Sequence, residues 1–248
     1  KEIFEQPQAS RNAMRGRVLL SEGISKLGGL QGVWEQILSM KRLFIVSCGT
    51  SYYAGLLGRY VIEDSTDIAV EVDLASEFRY RKLNIKEGTV VLAISQSGET
   101  ADTLVAIREA RRKGALVLGL VNVVGSSIAR ETDAGVYNHA GPEVSVASTK
   151  CLISQQSVLY LIALALARHQ TLSLSEGQAF LKELDSIPDK IQRILDGASH
   201  IQAIARRFSQ HKNSLYLGRK FNYPIALEGA LKLKEISYMH SEAYAAGE

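Results

Sequence analysis

Thr89-Val90-Val91-Leu92-Ala93-Ile94 is continuously apolar and largely β-branched, and Ser95-Gln96-Ser97-Gly98-Glu99-Thr100 follows it at once. Ala101 to Lys113 comes next, with Leu104, Ile107 and Ala110 near helical spacing. This reads as a buried strand, a hydroxyl-rich turn and a helix. Such a turn presents side-chain hydroxyls and backbone N–H groups at the positive end of a helix dipole, which suits a phosphate or another anion.

The same grammar recurs along the chain. A short helix over 32–40 leads to the strand Leu43-Phe44-Ile45-Val46-Ser47, which ends in Cys48-Gly49-Thr50-Ser51. Tyr52, Tyr53, Leu56, Leu57, Tyr60 and Val61 then mark an amphipathic helix. Val70 to Leu74 alternates as a strand nearer a sheet edge, and Ser76 to Arg81 reads as a polar connection. Further strands are expected at Leu116 to Val121 and near Val136 to His139. The order β-α-β-α-β-α-β-α-β predicts an α/β fold in three layers, a five-stranded parallel sheet between helices. In the flavodoxin-like strand order 2-1-3-4-5, the turns after strands one and three diverge at the switch point where open α/β sheets bind ligands. Thr50-Ser51 and Ser95 to Thr100 are those two turns.

Val144 to Lys150 is a third hydroxyl-rich helix start, leading a long helix to about His169. Residues 1–31 read as a linker with a weak helix, residues 32–170 as the first domain, and residues 171–210 as a helical connector broken at Pro188. Residues 211–248 read as the beginning of a second unit. There Ser214 to Arg219 repeats the strand-to-glycine opening, and the distances from glycine to acidic residue, 77−49=28 and 248−218=30, match closely. The chain opens without Met and stops in mid-unit, as a fragment would.

A net charge of +3 with evenly spread Lys and Arg argues against a nucleic-acid or membrane-surface partner. The run Val158 to Ala167 is about half a membrane span and no signal sequence precedes Lys1, so the cytoplasm is expected. Cys48 and Cys151 are then reduced thiols. The five histidines show no ligand spacing, and no metal or other cofactor is expected. Ser97 lacks the glycine of a G-x-S-x-G elbow, and neither G-x-G-x-x-G nor a P-loop is present. A single Ser/Thr turn is more often only a helix cap, and three such turns tilt the balance toward an anion site. Glu99 would repel a phosphate, so its side chain is expected to turn away. Glu228, Lys232 and Glu235 share one stripe of a helix starting near Pro224, which periodicity alone reads as a salt-bridged solvent face.

Cys48-Gly49-Thr50-Ser51, Ser95 to Thr100, Val146-Ala147-Ser148-Thr149-Lys150 and Ala226 to Glu235 together resemble the isomerase half of the glutamine:fructose-6-phosphate aminotransferases, which is built from repeated sugar isomerase (SIS) domains. The resemblance runs from Glu2 to Glu248. It implies a site for fructose 6-phosphate, glucosamine 6-phosphate or glucose 6-phosphate, with no cofactor. By carry-over, Ser51, Ser95, Gln96, Ser97 and Thr100 hold the phosphate, Thr50 lies beside the sugar, and Val146 and Ser148 line its far end. Glu235 becomes the base that moves a proton between C1 and C2, and Lys232 assists at the reacting centre. The resemblance also implies a homodimer formed through SIS domains and an N-terminal glutaminase domain in the full-length protein. The ring-opening histidine and C-terminal lysine of the family lie beyond Glu248, so this stretch alone is not expected to be a competent synthase. The rival reading is a non-catalytic SIS-domain sensor of sugar phosphates, which has no chemical reason to keep the Glu228 to Glu235 helix. A flavin-binding flavodoxin-like domain is a third, weaker one.

Overall fold

Five parallel strands carry the rest of the molecule, whose computed structural model describes residues 1–248. In chain order the main elements are α1 (Gln6–Met14), β1 (Arg42–Ser47), α2 (Thr50–Ser65), β2 (Ala69–Leu74), β3 (Thr89–Ser95), α3 (Ala101–Arg112), β4 (Leu116–Val121) and β5 (Ala134–Tyr137). They continue with α4 (Lys150–Gln170), α5 (Leu174–Asp196), α6 (Ala198–Phe208), β6 (Asn213–Gly218), α7 (Asn222–Ser237) and β7 (His240–Ala245). The sheet order is β2-β1-β3-β4-β5, as alternation predicted. The fifth strand lies two residues earlier than expected.

Period-two geometry sorts the apolar runs onto two faces. Leu43 and Ile45 of β1, with Val90, Leu92 and Ile94 of β3, pack under α2 and α4, while Phe44, Val46, Val91 and Ala93 pack against α3. Helices α2 and α3 thus leave neighbouring strands toward opposite faces, and the crevice between their N-termini is a switch point. Helix α4 fills the centre of the larger core: Val158, Leu161, Leu164 and Leu166 are at most 1% exposed. It is long and apolar enough to cross a membrane, and 78% of its most apolar window is buried inside this fold. The ten-residue run noted above understates it, because Ser154, Gln155 and Ser157 interrupt the apolar pattern only where they find partners.

Three expectations need correction. Pro188 does not break the connector: α5 runs through it and the break falls at Gly197. Leu181, Leu184 and Pro188 lie on one buried stripe, and the packing of that stripe offsets the hydrogen bond the proline cannot make. The connector itself divides, since Leu181 and Leu184 of α5 join the main core while α6 buries no residue. Residues 1–31, expected as a linker with a weak helix, hold that helix as α1 and pack it on the core. Ala13 and Met14 of α1 enter the core, and Ser10 shares a 2.9 Å hydrogen bond with Ser157 of α4. Within the expected polar connection, Ala75–Phe78 is a short helix whose Phe78 is fully buried.

The second unit is a parallel β-α-β unit, β6-α7-β7. Its strands stand 171 residues after β1 and β2, since 213−42=171 and 240−69=171, so the two units share one register. On this offset the partner of Gly49 is Lys220 rather than Gly218, and both adopt positive φ, 56° and 51°. Strand β7 lacks a long apolar run, and the sequence reading passed over it.

Candidate active site

Both turns at the switch point hold their hydroxyls inward. Ser95 is 3% exposed; its Oγ accepts a 3.0 Å hydrogen bond from the Gly98 N–H and shares one of 3.0 Å with Thr100 Oγ1. Ser97 Oγ accepts from the Glu99 N–H at 3.1 Å. No side chain caps α3, although Thr100 stands at its N-cap position, and none caps α2. The cap reading of these hydroxyls therefore fails, and the first-turn N–H groups of two helices point into one crevice without a side-chain acceptor. Gly98 is required by geometry: its φ is 67°, and a Cβ there would stand 2.0 Å from Ser126 Oγ.

Glu99 turns away, as a phosphate would require. Its Oε1 accepts from the Ser127 N–H at 2.8 Å, and Ser127, through its hydroxyl first and its N–H second, holds the carboxyl below the usual range. The Gln96 carbonyl takes a 3.3 Å bond from the Asn122 N–H, which ties the loop to the end of β4. Ser51 is 7% exposed and its Oγ accepts from Gln155 Nε2 at 3.0 Å. Gln155, 1% exposed in α4, escaped the sequence reading. Its signal was a polar residue in an apolar helix, which needs a partner when buried.

Helix α7 brings the ionisable groups. Glu228 and Lys232 of its Glu228–Lys232–Glu235 stripe pack on the N-terminus of α2, so the periodicity reading of a solvated face is overturned for these two, while Glu235 stays exposed. Lys232 Nζ lies 2.7 Å from Glu235 Oε2 and 3.5 Å from Glu228 Oε1, and donates to Thr50 Oγ1 at 3.0 Å. Thr50 Oγ1 donates in turn to Glu228 Oε1 at 3.1 Å. Glu228 is only 6% exposed, and burial pushes its carboxyl up to about 7 against the opposing pull of Lys232 and Thr50. The Glu235 side chain is 31% exposed, at the rim of this cluster.

The third hydroxyl-rich segment behaves differently. Val146 is 93% exposed, and Ser148 Oγ donates to Glu143 Oε2 at 2.8 Å. Glu143 Oε1 also accepts from the N–H groups of Thr149 at 2.8 Å and Cys151 at 3.2 Å, and so occupies the start of α4 as its acceptor. That helix end is already satisfied, and Val146 and Ser148 are not joined to the Thr50 cluster by any hydrogen bond. Cys48 and Cys151 are free thiols, and burial keeps the Cys151 thiol protonated.

Residues 36–165 match the SIS domain family. The chain belongs to that family. Across all 248 residues it is 54% identical to the glutamine–fructose-6-phosphate aminotransferase (isomerizing) of Chlorobaculum tepidum, and over 249 aligned residues 49% identical to that of Caldanaerobacter subterraneus. It spans 40% and 41% of those two proteins. The solved C-terminal domain of glucosamine-fructose-6-phosphate aminotransferase from Francisella tularensis superposes with a TM-score of 0.93 at 38% identity, over all of this chain and 70% of that one. Within the SIS family the chain therefore corresponds to the C-terminal domain of these aminotransferases. The SIS match covers the first α/β unit, which contains both hydroxyl turns, and ends before Glu228.

Proposed function

We propose that this chain is the sugar-phosphate isomerase region of an enzyme that makes glucosamine 6-phosphate from fructose 6-phosphate and glutamine-derived ammonia. The observation that carries the reading is the contact between units: Thr50, in the anion-binding crevice, touches both Glu228 and Lys232 of the second unit. The phosphate occupies the crevice of Ser51, Ser95, Gln96, Ser97 and Thr100, and the sugar carbons extend toward α7. There Glu235 takes the proton from C1 of the C2 imine and returns it to C2, and Lys232 stabilises the charge that develops between the two steps. The remote phosphate supplies the binding energy that fixes this geometry.

A sensor of sugar phosphates needs the crevice but not a carboxylate and an ammonium driven against it, and the packing of α7 favours the enzyme. Val146 and Ser148 line the sugar end in this proposal only as contacts made when ligand is bound. The homodimer, the glutaminase partner domain and the cytoplasmic location belong to the same reading and rest on the resemblance to the family. Calorimetric titration with fructose 6-phosphate, fructose and inorganic phosphate tests it. Wild type should bind the phosphorylated sugar and phosphate but not fructose, and Ser97→Ala should weaken both anions. Equal binding of fructose would remove the crevice from the phosphate.

A further inference from the structure

Proton transfer at C1 and C2 gives Glu228 no task, yet it is the most buried carboxylate in the cluster, and its Oε2 has no hydrogen-bond partner. A buried carboxylate oxygen left unpaired is costly when charged and far less so when the group is neutral. Its other oxygen meets Thr50 Oγ1, a hydroxyl with one hydrogen to give. We propose that Glu228 is a positioning residue of the isomerisation: in its protonated form it donates to Thr50 Oγ1, which frees the threonine hydrogen for an oxygen of the sugar and leaves Lys232 to Glu235. This rests on the sugar-isomerase reading above.

The geometry allows two hydrogen-bond patterns. With Glu228 ionised, Thr50 gives its hydrogen to Oε1 while accepting from Lys232, and Lys232 is shared between two carboxylates. With Glu228 protonated, Thr50 accepts from both Glu228 and Lys232, and its own hydrogen is turned toward the crevice. The cluster then holds one carboxylate and one ammonium, an even balance of charge. The groups around Glu228 are few. Lys232, Glu235 and Tyr223 share its helix, and from α2 Tyr53 faces it, its phenol pushed up chiefly by burial and next by Glu228. Tyr216 of β6 packs beneath Gly229, and on β7 Glu242 is engaged with Tyr244 and lies 3.5 Å from His240. Burial raises the carboxyl into the neutral range, so both patterns are populated near physiological pH.

The test uses the full-length protein with Glu228→Gln, Glu228→Ala and Thr50→Val, alone and Glu228→Gln with Thr50→Val. Isomerisation is followed against pH, fructose 6-phosphate binding by calorimetry, and the protonated carboxyl by infrared titration without ligand. Wild type should lose rate as pH rises through about 7. Glutamine, which donates from its amide as the protonated acid does, should abolish that alkaline limb with KM within about threefold of wild type. Alanine should lower kcat by about tenfold or more below pH 7, and the difference from wild type should shrink above it. In the Thr50→Val background, Glu228→Gln should have no further effect. An alkaline limb that persists in Glu228→Gln with binding intact, or effects of the two substitutions that multiply, would overturn the proposal. Absence of a carboxyl band that titrates near 7 in wild type and is missing in Glu228→Gln would overturn it equally. Failure of the sugar reading is distinct, because it appears as wild type that does not bind fructose 6-phosphate, whereas the infrared band needs no sugar.

Discussion

The two β-α-β units have one register and helices of 16 residues each, but opposite uses for the same helix face. Counting 171 residues on, Leu57 and Val61 of α2 correspond to Glu228 and Lys232 of α7. The first pair is apolar and buried, at 5% and 7% exposure, and Val61 joins the main core. The second pair is aimed at the neighbouring unit and carries charge. Within this stretch, which spans 70% of the solved Francisella tularensis domain, the strands differ too: Phe44 and Val46 are at most 1% exposed, and their counterparts Leu215 and Leu217 are 67% and 66% exposed. In the proposed function, one unit binds through the start of its helix, and its strands are buried on both faces. The other would contribute chemistry from the middle of its helix, which the first unit covers only in part.

If that division of labour holds, the largest effect belongs to the helix middle of the second unit. Glu235→Gln in the full-length protein should leave fructose 6-phosphate binding in place and slow isomerisation by about 10²–10⁴-fold. Turnover within a factor of ten of wild type would return proton transfer to another group. Stability should divide the other way. In the 248-residue chain, Phe44→Ala should cost about 3–5 kcal/mol in chemical denaturation, and Leu215→Ala should stay within about 0.5 kcal/mol. Equal costs would erase the contrast between the covered and the uncovered strand.

Ser97→Ala sharpens the part assigned to the first unit. A hydrogen bond to a charged phosphate is worth about 1.5–3 kcal/mol, so affinity for fructose 6-phosphate should fall by roughly ten- to a hundredfold, with kcat changed far less. A further effect is in the pH dependence of folding. The Glu228 carboxyl is raised from 4.5 to about 7 in the native state, so between those values the native state holds a proton that the unfolded state has lost. Stability should therefore decline as pH rises from 4.5 to 7, by at most about 1.4 kcal/mol per pH unit, and the decline should cease above 7. Denaturation of Glu228→Gln across the same range should show a shallower slope. An identical slope would show that this carboxyl does not titrate there.

Much of the first unit was legible in the chain. Strands buried on both faces must be apolar at every position, and the breaks between them carried Gly, Ser and Thr, so β1, β3 and β4 and their order followed from local pattern. Ser95 to Thr100 could be recognised as a hydroxyl-rich strand-to-helix turn on the same grounds. Strand β7, which carries no long apolar run, could not be found by the same rule. Pro188 misled because a proline ends a helix only if packing does not offset the missing bond. The family resemblance supplied Glu235 and Lys232, which periodicity had assigned to solvent. What only the tertiary structure decided was the meaning of Glu228: charge at i, i+4 spacing is compatible with water or with a neighbouring helix, and the choice depends on where α7 packs. The sequence by itself determined the strands, the hydroxyl turns and the switch point, because burial on two faces and helix-end chemistry are local. The docking of α7 on Thr50, which turns a surface ion pair into a buried proton site, depends on contacts between residues 178 positions apart and has no local signature.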